Sequence, residues 1–161
     1  MRLFAVLALL LLATPLAARD SLGVFGQWGA FRDPETPRCY AIAEAEATRD
    51  RRDARAFASV GTWPSRGVRG QVSFRLGRRL ASEPRVRLAI GDERFDLVAG
   101  GGDAWAADAR ADAAIVAAMR SAGSMSVSAT DAANRRFNDR YSLEGAATAL
   151  DAAALGCARR E

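Results

Sequence analysis

Residues 85–98 read Arg85-Val86-Arg87-Leu88-Ala89-Ile90-Gly91-Asp92-Glu93-Arg94-Phe95-Asp96-Leu97-Val98. Val86, Leu88 and Ile90 alternate with Arg85, Arg87 and Ala89, and Phe95 and Leu97 alternate with Arg94 and Asp96. A period of two is the signature of a strand with one buried and one wet face. Between the two runs stands Gly91-Asp92. A glycine at the first turn position supplies the positive φ of a type II′ hairpin. Two antiparallel strands joined by a tight turn are therefore expected here.

The same alternation recurs on both sides. Val72, Phe74 and Leu76 face away from Gln71, Ser73 and Arg75, and Met125, Val127 and Ala129 face away from Ser124, Ser126, Ser128 and Thr130. Phe137 and Tyr141 mark a strand after the loop Asp131 to Asn134, and shorter strands are expected over Gln27 to Phe31, Cys39 to Ala43 and Phe57 to Trp63. One wet face per strand suits antiparallel pairing. A helix interrupts the pattern: Asp108 is its expected N-cap, Asp112 lies in its first turn, Ile115, Met119 and Ala122 form a stripe, and Gly123 is its expected stop. A second, shorter helix is expected from Ala146 to Leu155, ended by Gly156. Glu44 to Ala56 is charged and aperiodic, and reads as a mobile loop. The expected fold is mainly β: one antiparallel β-sandwich-like domain with one packed α-helix and a short C-terminal helix.

Composition narrows the chemistry. The chain has 161 residues, 23 basic and 19 acidic side chains, two cysteines and no histidine. Every basic side chain is arginine, and alanine occurs 36 times, a bias closer to a GC-rich genome than to any need of the fold. Without histidine there is no Ser-His-Asp triad, no Cys-His dyad and no His-liganded metal site. Without lysine there is no Ser-Lys scheme. No cofactor or metal is expected.

The first residues predict export. Arg2 gives a positive start, Leu3 to Ala13 is an unbroken apolar run, and Pro15 and the small pair Ala17-Ala18 follow. That is the layout of a cleaved leader, and the run is too short for a span of about 20 apolar residues. Residues 1–18 are therefore expected to be a signal peptide and 19–161 a single β domain. In an oxidising compartment, Cys39 and Cys157 read as a structural disulfide, with two buried free thiols as the other arrangement. Such a bridge would close most of the domain into one loop, worth at most about 5 kcal/mol.

Other candidates carry less. Gly100-Gly101-Gly102 lacks the Lys-Ser/Thr context of a phosphate-binding loop and reads as a turn before the Trp105 segment. Carboxylates alone can hydrolyse glycosidic bonds, but nothing in the sequence pairs any two of Asp33, Glu35, Asp92, Glu93, Asp103 and Asp108. Arg78-Arg79, Arg85-Arg87 and Arg135-Arg136 fall at strand ends or on wet faces, and Asp50 and Asp53 dilute the cluster Arg49 to Arg55. The basic balance permits an acidic partner such as an anionic glycan or membrane surface. Nucleic acid is not expected, because the basic positions lack interleaved stacking aromatics. Trp28, Trp63 and Trp105 stand beside small or turn residues, where aromatics close a core or line a ligand cleft.

The two ends of the domain resemble a known family. Gly26 and Trp28 form an early Gly-x-Trp, Cys39 follows in a short strand, and Tyr141-Ser142-Leu143-Glu144-Gly145 leads into an Ala/Leu-rich helix. This layout is similar to the invasion-associated locus B family of bacterial envelope proteins. Typical members carry further cysteines mid-chain, and this chain has none between Cys39 and Cys157. The resemblance implies a periplasmic or cell-surface β-sandwich of a Gram-negative bacterium and transfers no catalytic residue. The expectation is thus a non-enzymatic envelope protein that binds a protein or glycan, with Trp63, Arg66, Arg69, Arg78, Arg79 and Trp105 as its candidate surface. An inhibitor of a secreted lysozyme or protease is the alternative, followed by a carboxylate-only glycan hydrolase.

Overall fold

A computed structural model describes residues 19–49 and 52–158; the expected signal peptide, 1–18, lies outside the described residues. Ten strands form: β1 (Asp20–Phe25), β2 (Trp28–Asp33), β3 (Arg38–Glu44), β4 (Phe57–Trp63), β5 (Val68–Arg75), β6 (Val86–Ile90), β7 (Glu93–Gly100), β8 (Asp103–Trp105), β9 (Ser124–Thr130) and β10 (Arg136–Ser142). Two helices accompany them, α1 (Ala109–Ser121) and α2 (Ala146–Ala158). The hairpin expected around Gly91-Asp92 is present, with Val86 opposite Leu97, Leu88 opposite Phe95, and Gly91 at φ +53°.

The strands run antiparallel in one continuous order, β1-β2-β3-β4-β5-β8-β7-β6-β9-β10. This corrects the expected sandwich. The three-residue β8 pairs with β5 on one side and β7 on the other, and so joins two groups of strands that would otherwise be separate sheets. Three residues are too few to show a period, so the join is invisible to alternation. The edge strand β1 was also unread: its Leu22, Val24 and Phe25 do not alternate cleanly, and a bulge interrupts its register between Ser21 and Gly23.

The sheet curls so that its last strand returns to its first ones. Trp28 Nε1 donates to the Ser142 carbonyl at 2.9 Å, and Glu46 N donates to the Arg140 carbonyl at 2.8 Å. The Phe74 and Tyr141 rings meet with centroids 6.1 Å apart. One face is thereby buried from β2 to β10, through Trp28, Ala41 and Val60, then Val72 and Leu88, to Val127 and Tyr141, with Leu22 and Phe25 of β1 half-buried at its edge.

Helix α2 crosses that buried face over β1 to β4. The strand positions there are Ala30, Ala41, Ala43 and Ala58, and the buried helix positions are Ala146, Ala149, Leu150 and Ala153. Small residues on both sides let the helix approach closely, which accounts for the alanine-rich pattern at this contact. The disulfide Cys39–Cys157 is formed, with Cα atoms 5.7 Å apart and a sequence separation of 118. It also explains a difference at the helix end. Gly156 does not stop α2; it remains helical, packed against the Leu22 side chain, and carries the helix on to Cys157.

Helix α1 is capped as expected, with Asp108 accepting the Ala111 N–H at 2.8 Å. It ends at Ser121, and Ala122 rather than Gly123 is its cap, in extended backbone. Asp112 does more than favour the first turn: its carboxylate accepts the Val72 N–H at 2.8 Å and ties the helix to β5. Burial pushes the Asp112 carboxyl above its ordinary pKa, against the opposing effect of that hydrogen bond. The described part of 44–56 is anchored: Asp53 N donates to the Gly77 carbonyl at 2.8 Å, and Arg52 Nε reaches buried Asp139 at 3.1 Å.

Candidate functional site

Both helices lie on the buried face, so the opposite face of the curled sheet is bare over β1 to β5, β8 and β7. One cross-strand row on it runs Val24, Gly29, Ile42, Ser59, Ser73, Trp105, Val98, each residue paired with the next. Val24, Val98 and Trp105 in this row are 71%, 44% and 37% exposed.

The neighbouring row is aromatic. Phe31 pairs with Tyr40, ring centroids 5.7 Å apart, and Tyr40 pairs with Gly61 on β4. The Trp63 ring lies over Gly61: a Cβ there would sit 2.6 Å from the far edge of the indole, which would have to shift. Phe31 lies over Gly29 in the same way, at 2.7 Å. Glycines thus seat flat rings against the sheet, and the Arg38 guanidinium closes over Tyr40 at 4.7 Å from its centroid.

Of the six residues expected to form one surface, Trp63 and Trp105 share this face, on β4 and on β8 two strands away. Arg66 is exposed in the 3-10 turn Pro64–Arg66 that follows Trp63. Arg69 stands on the other side of the sheet, because Gly70, at φ +65°, lies in a register shift between β4 and β5. There it lines a cleft of about 470 Å³ between α1, α2 and the β4–β5 hairpin, together with Arg120, Val116 and Leu150. Arg78 is no open cation. Its side chain is 10% exposed and its Nη1 lies 3.0 Å from Asp131 Oδ2. The Arg79 backbone is bound at N by Asp53 and at its carbonyl by Ala132 N, in that same corner.

The anion of that corner is heavily solvated by protein. Asp131 accepts the Arg135 and Ala133 N–H groups at 2.9 and 3.0 Å and faces both Arg78 and Arg135. Those backbone hydrogen bonds, led by Arg135, with the two guanidiniums, hold its pKa down at about 2. Asp139 is 2% exposed, accepts the Gly77 N–H at 2.8 Å and pairs with Arg52. Burial, with Asp139 nearby, pushes the Tyr141 phenol above its ordinary range.

The carboxylates weighed as acid–base candidates are dispersed. Asp33 is held low by the Thr36 N–H and by Arg38 and Arg19, Asp103 pairs with Arg75 at 2.8 Å, and Asp108 caps α1. Among the described residues no three Cys, Asp or Glu side chains converge as metal ligands. No helix among them is long and apolar enough to cross a membrane.

The two sequence ends that carried the family resemblance meet in space. Gly26, at φ +58°, lies where a Cβ would be 2.5 Å from the Glu144 carbonyl; Gly145, at φ +81°, lies where one would be 2.0 Å from the Phe25 carbonyl. With the Trp28–Ser142 hydrogen bond, Gly-x-Trp and the tail motif form one joint of the fold. No protein-family model and no curated protein sequence matches the chain. Among solved structures, the crystal structure of invasion associated protein B from Bartonella henselae is similar to it, with a TM-score of 0.59 and 19% sequence identity over 87% of this chain and 99% of that one. In its strands, its two helices and this joint between its ends, the chain has the fold of invasion associated protein B, as its terminal motifs implied.

Proposed function

We propose that the chain is an exported envelope protein that acts by binding rather than by catalysis, and that the aromatic half of the bare sheet face is where it docks its partner. The observation that carries this is the bare outer face, where Val24 and Ile42 lie beside Phe31 and Trp63, and where Trp105 and Val98 lie beyond Ser59 and Ser73 in the same cross-strand row. Apolar and aromatic side chains gathered on one open face mark an interaction site, and aromatic residues dominate the energetics of such sites. Protein and glycan partners both use aromatic platforms; the aliphatic ends of the row, Val24 and Val98, favour a protein. Export is supported by the Cys39–Cys157 disulfide, a bond that persists in oxidising compartments.

The test is site-specific photo-crosslinking in intact cells. A photoreactive side chain at Val98 should give one discrete adduct, lost when Trp63 and Trp105 are both changed to Ala. The same probe at Arg110, on α1, should give none. An identical adduct pattern from both positions, or an adduct unaffected by the double substitution, would remove this face from the reading. Mass spectrometry of the adduct separates a protein from a glycan.

A further inference from the structure

The other half of the outer face has a different chemistry. On β6, β9 and β10 the outward positions pair in register: Arg87 with Ser128, Ser128 with Asn138, and Thr130 with Arg136. Arg85 precedes Val86 on the same side, and these six residues border one open groove of about 580 Å³. Arg140, two residues on from Asn138, extends the same face beside Ser126. The carboxylate among the outward positions of these strands and β7 is Asp96, which lies 3.4 Å from Arg87 with both side chains largely in solvent. Arg85, Arg136 and Arg140 have no side-chain hydrogen bond or ion pair among the described residues.

We infer that this groove binds an anionic polysaccharide, a chain of sugars bearing sulfate, phosphate or carboxylate groups. Adjacent strands are about 4.8 Å apart and same-face neighbours about 6.7 Å apart along a strand, so the guanidiniums recur at intervals on the order of 10 Å. That spacing suits repeated anions on an extended ligand. Guanidinium forks recognise each anion bidentately. Between them, Ser128, Thr130 and Asn138 offer neutral donors and acceptors suited to sugar hydroxyls. The outward positions of β6, β9 and β10 carry no aromatic side chain, and Phe137, which also borders the groove, is buried in the core, so the groove lacks the stacking platforms of a single-strand nucleic-acid site. They also lack large apolar side chains to enter a bilayer. The site stands apart from the aromatic half of the face and does not rest on its role.

The probe is a dextran sulfate oligosaccharide, titrated against the exported, disulfide-bonded chain. The variant R85Q/R87Q/R136Q should bind at least tenfold more weakly, with a shallower dependence of affinity on salt. R49Q/R55Q/R110Q removes the same charge elsewhere and should stay within about twofold of the unmodified chain. S128A/N138A removes no charge and should weaken binding about threefold. Equal losses in the two arginine triples would mean attraction to net charge, and would overturn the site. Full retention by R85Q/R87Q/R136Q would also overturn it. Unchanged binding by S128A/N138A, or tighter binding of single-stranded DNA through the same arginines, would overturn its assignment to a glycan. Thermal midpoints of all variants check that fold loss does not imitate a binding loss.

Discussion

At the scale of single residues, contact and backbone conformation separate glycines that look alike in sequence. Gly67 and Gly145 both have positive φ, at +65° and +81°, but nothing lies within 4 Å of a Cβ at 67, whereas one at 145 would strike the Phe25 carbonyl. Gly67→Ala should therefore cost about 1–2 kcal/mol, the left-handed penalty alone. Gly145→Ala adds a backbone clash and should cost about 2–5 kcal/mol. Urea midpoints of the two variants decide this, and equal losses would mean that the joint between the chain ends yields without cost. Arg78 belongs to the same scale. In sequence it is one of a pair of exposed-looking arginines; in the structure it neutralises Asp131, so replacing Arg78 together with Arg66, Arg69 and Arg79 would test folding as much as binding.

At the scale of elements, the disulfide and α2 act together. Cys39 is fully buried on β3, and Cys157 sits in the last turn of α2, beyond a glycine that propensity alone would make a stop. C39A/C157A should lower stability by about 2–5 kcal/mol. Hydrogen exchange should show the loss first at Gly156–Ala158, with the first turn of α2 still protected by its alanine contact with the sheet. Uniform loss of protection along α2 would argue that packing and bridge are one cooperative unit. The strands with strong alternation, β5, β6, β7 and β9, were legible in sequence because one face must be dry. The short β8 and the edge β1 were not, since their pairing is set by neighbours distant in the chain.

At the scale of the whole molecule, several carboxylates are held below their ordinary pKa by partners that exist only in the folded state: Asp131 at about 2, with Asp33, Glu44 and Asp151 moved the same way. A depressed folded pKa contributes stability above the unfolded value, and that contribution is lost as the group protonates on acidification. For Asp131 the window runs from about pH 4 down to about pH 2. Asp112, moved up by burial, has the opposite sign and slightly offsets the others at higher pH. Stability should thus fall through this window, and D131N should flatten the fall while lowering stability at neutral pH; a fall of unchanged steepness in D131N would place the loss on other groups. Sequence by itself determined the β class, the main hairpin, the N-cap of α1, the cysteine pair and the likeness of the two ends to one family, because each rests on local periodicity, on a turn, or on residue types with few uses. Only the tertiary structure decided that the strands make one curled sheet. It also decided that Trp63 and Trp105 share a bare face while Arg69 and Arg78 leave it, and that Arg85, Arg87 and Arg136 line one groove. Those outcomes depend on strand order and register, which arise from contacts between distant segments and leave no period in the chain.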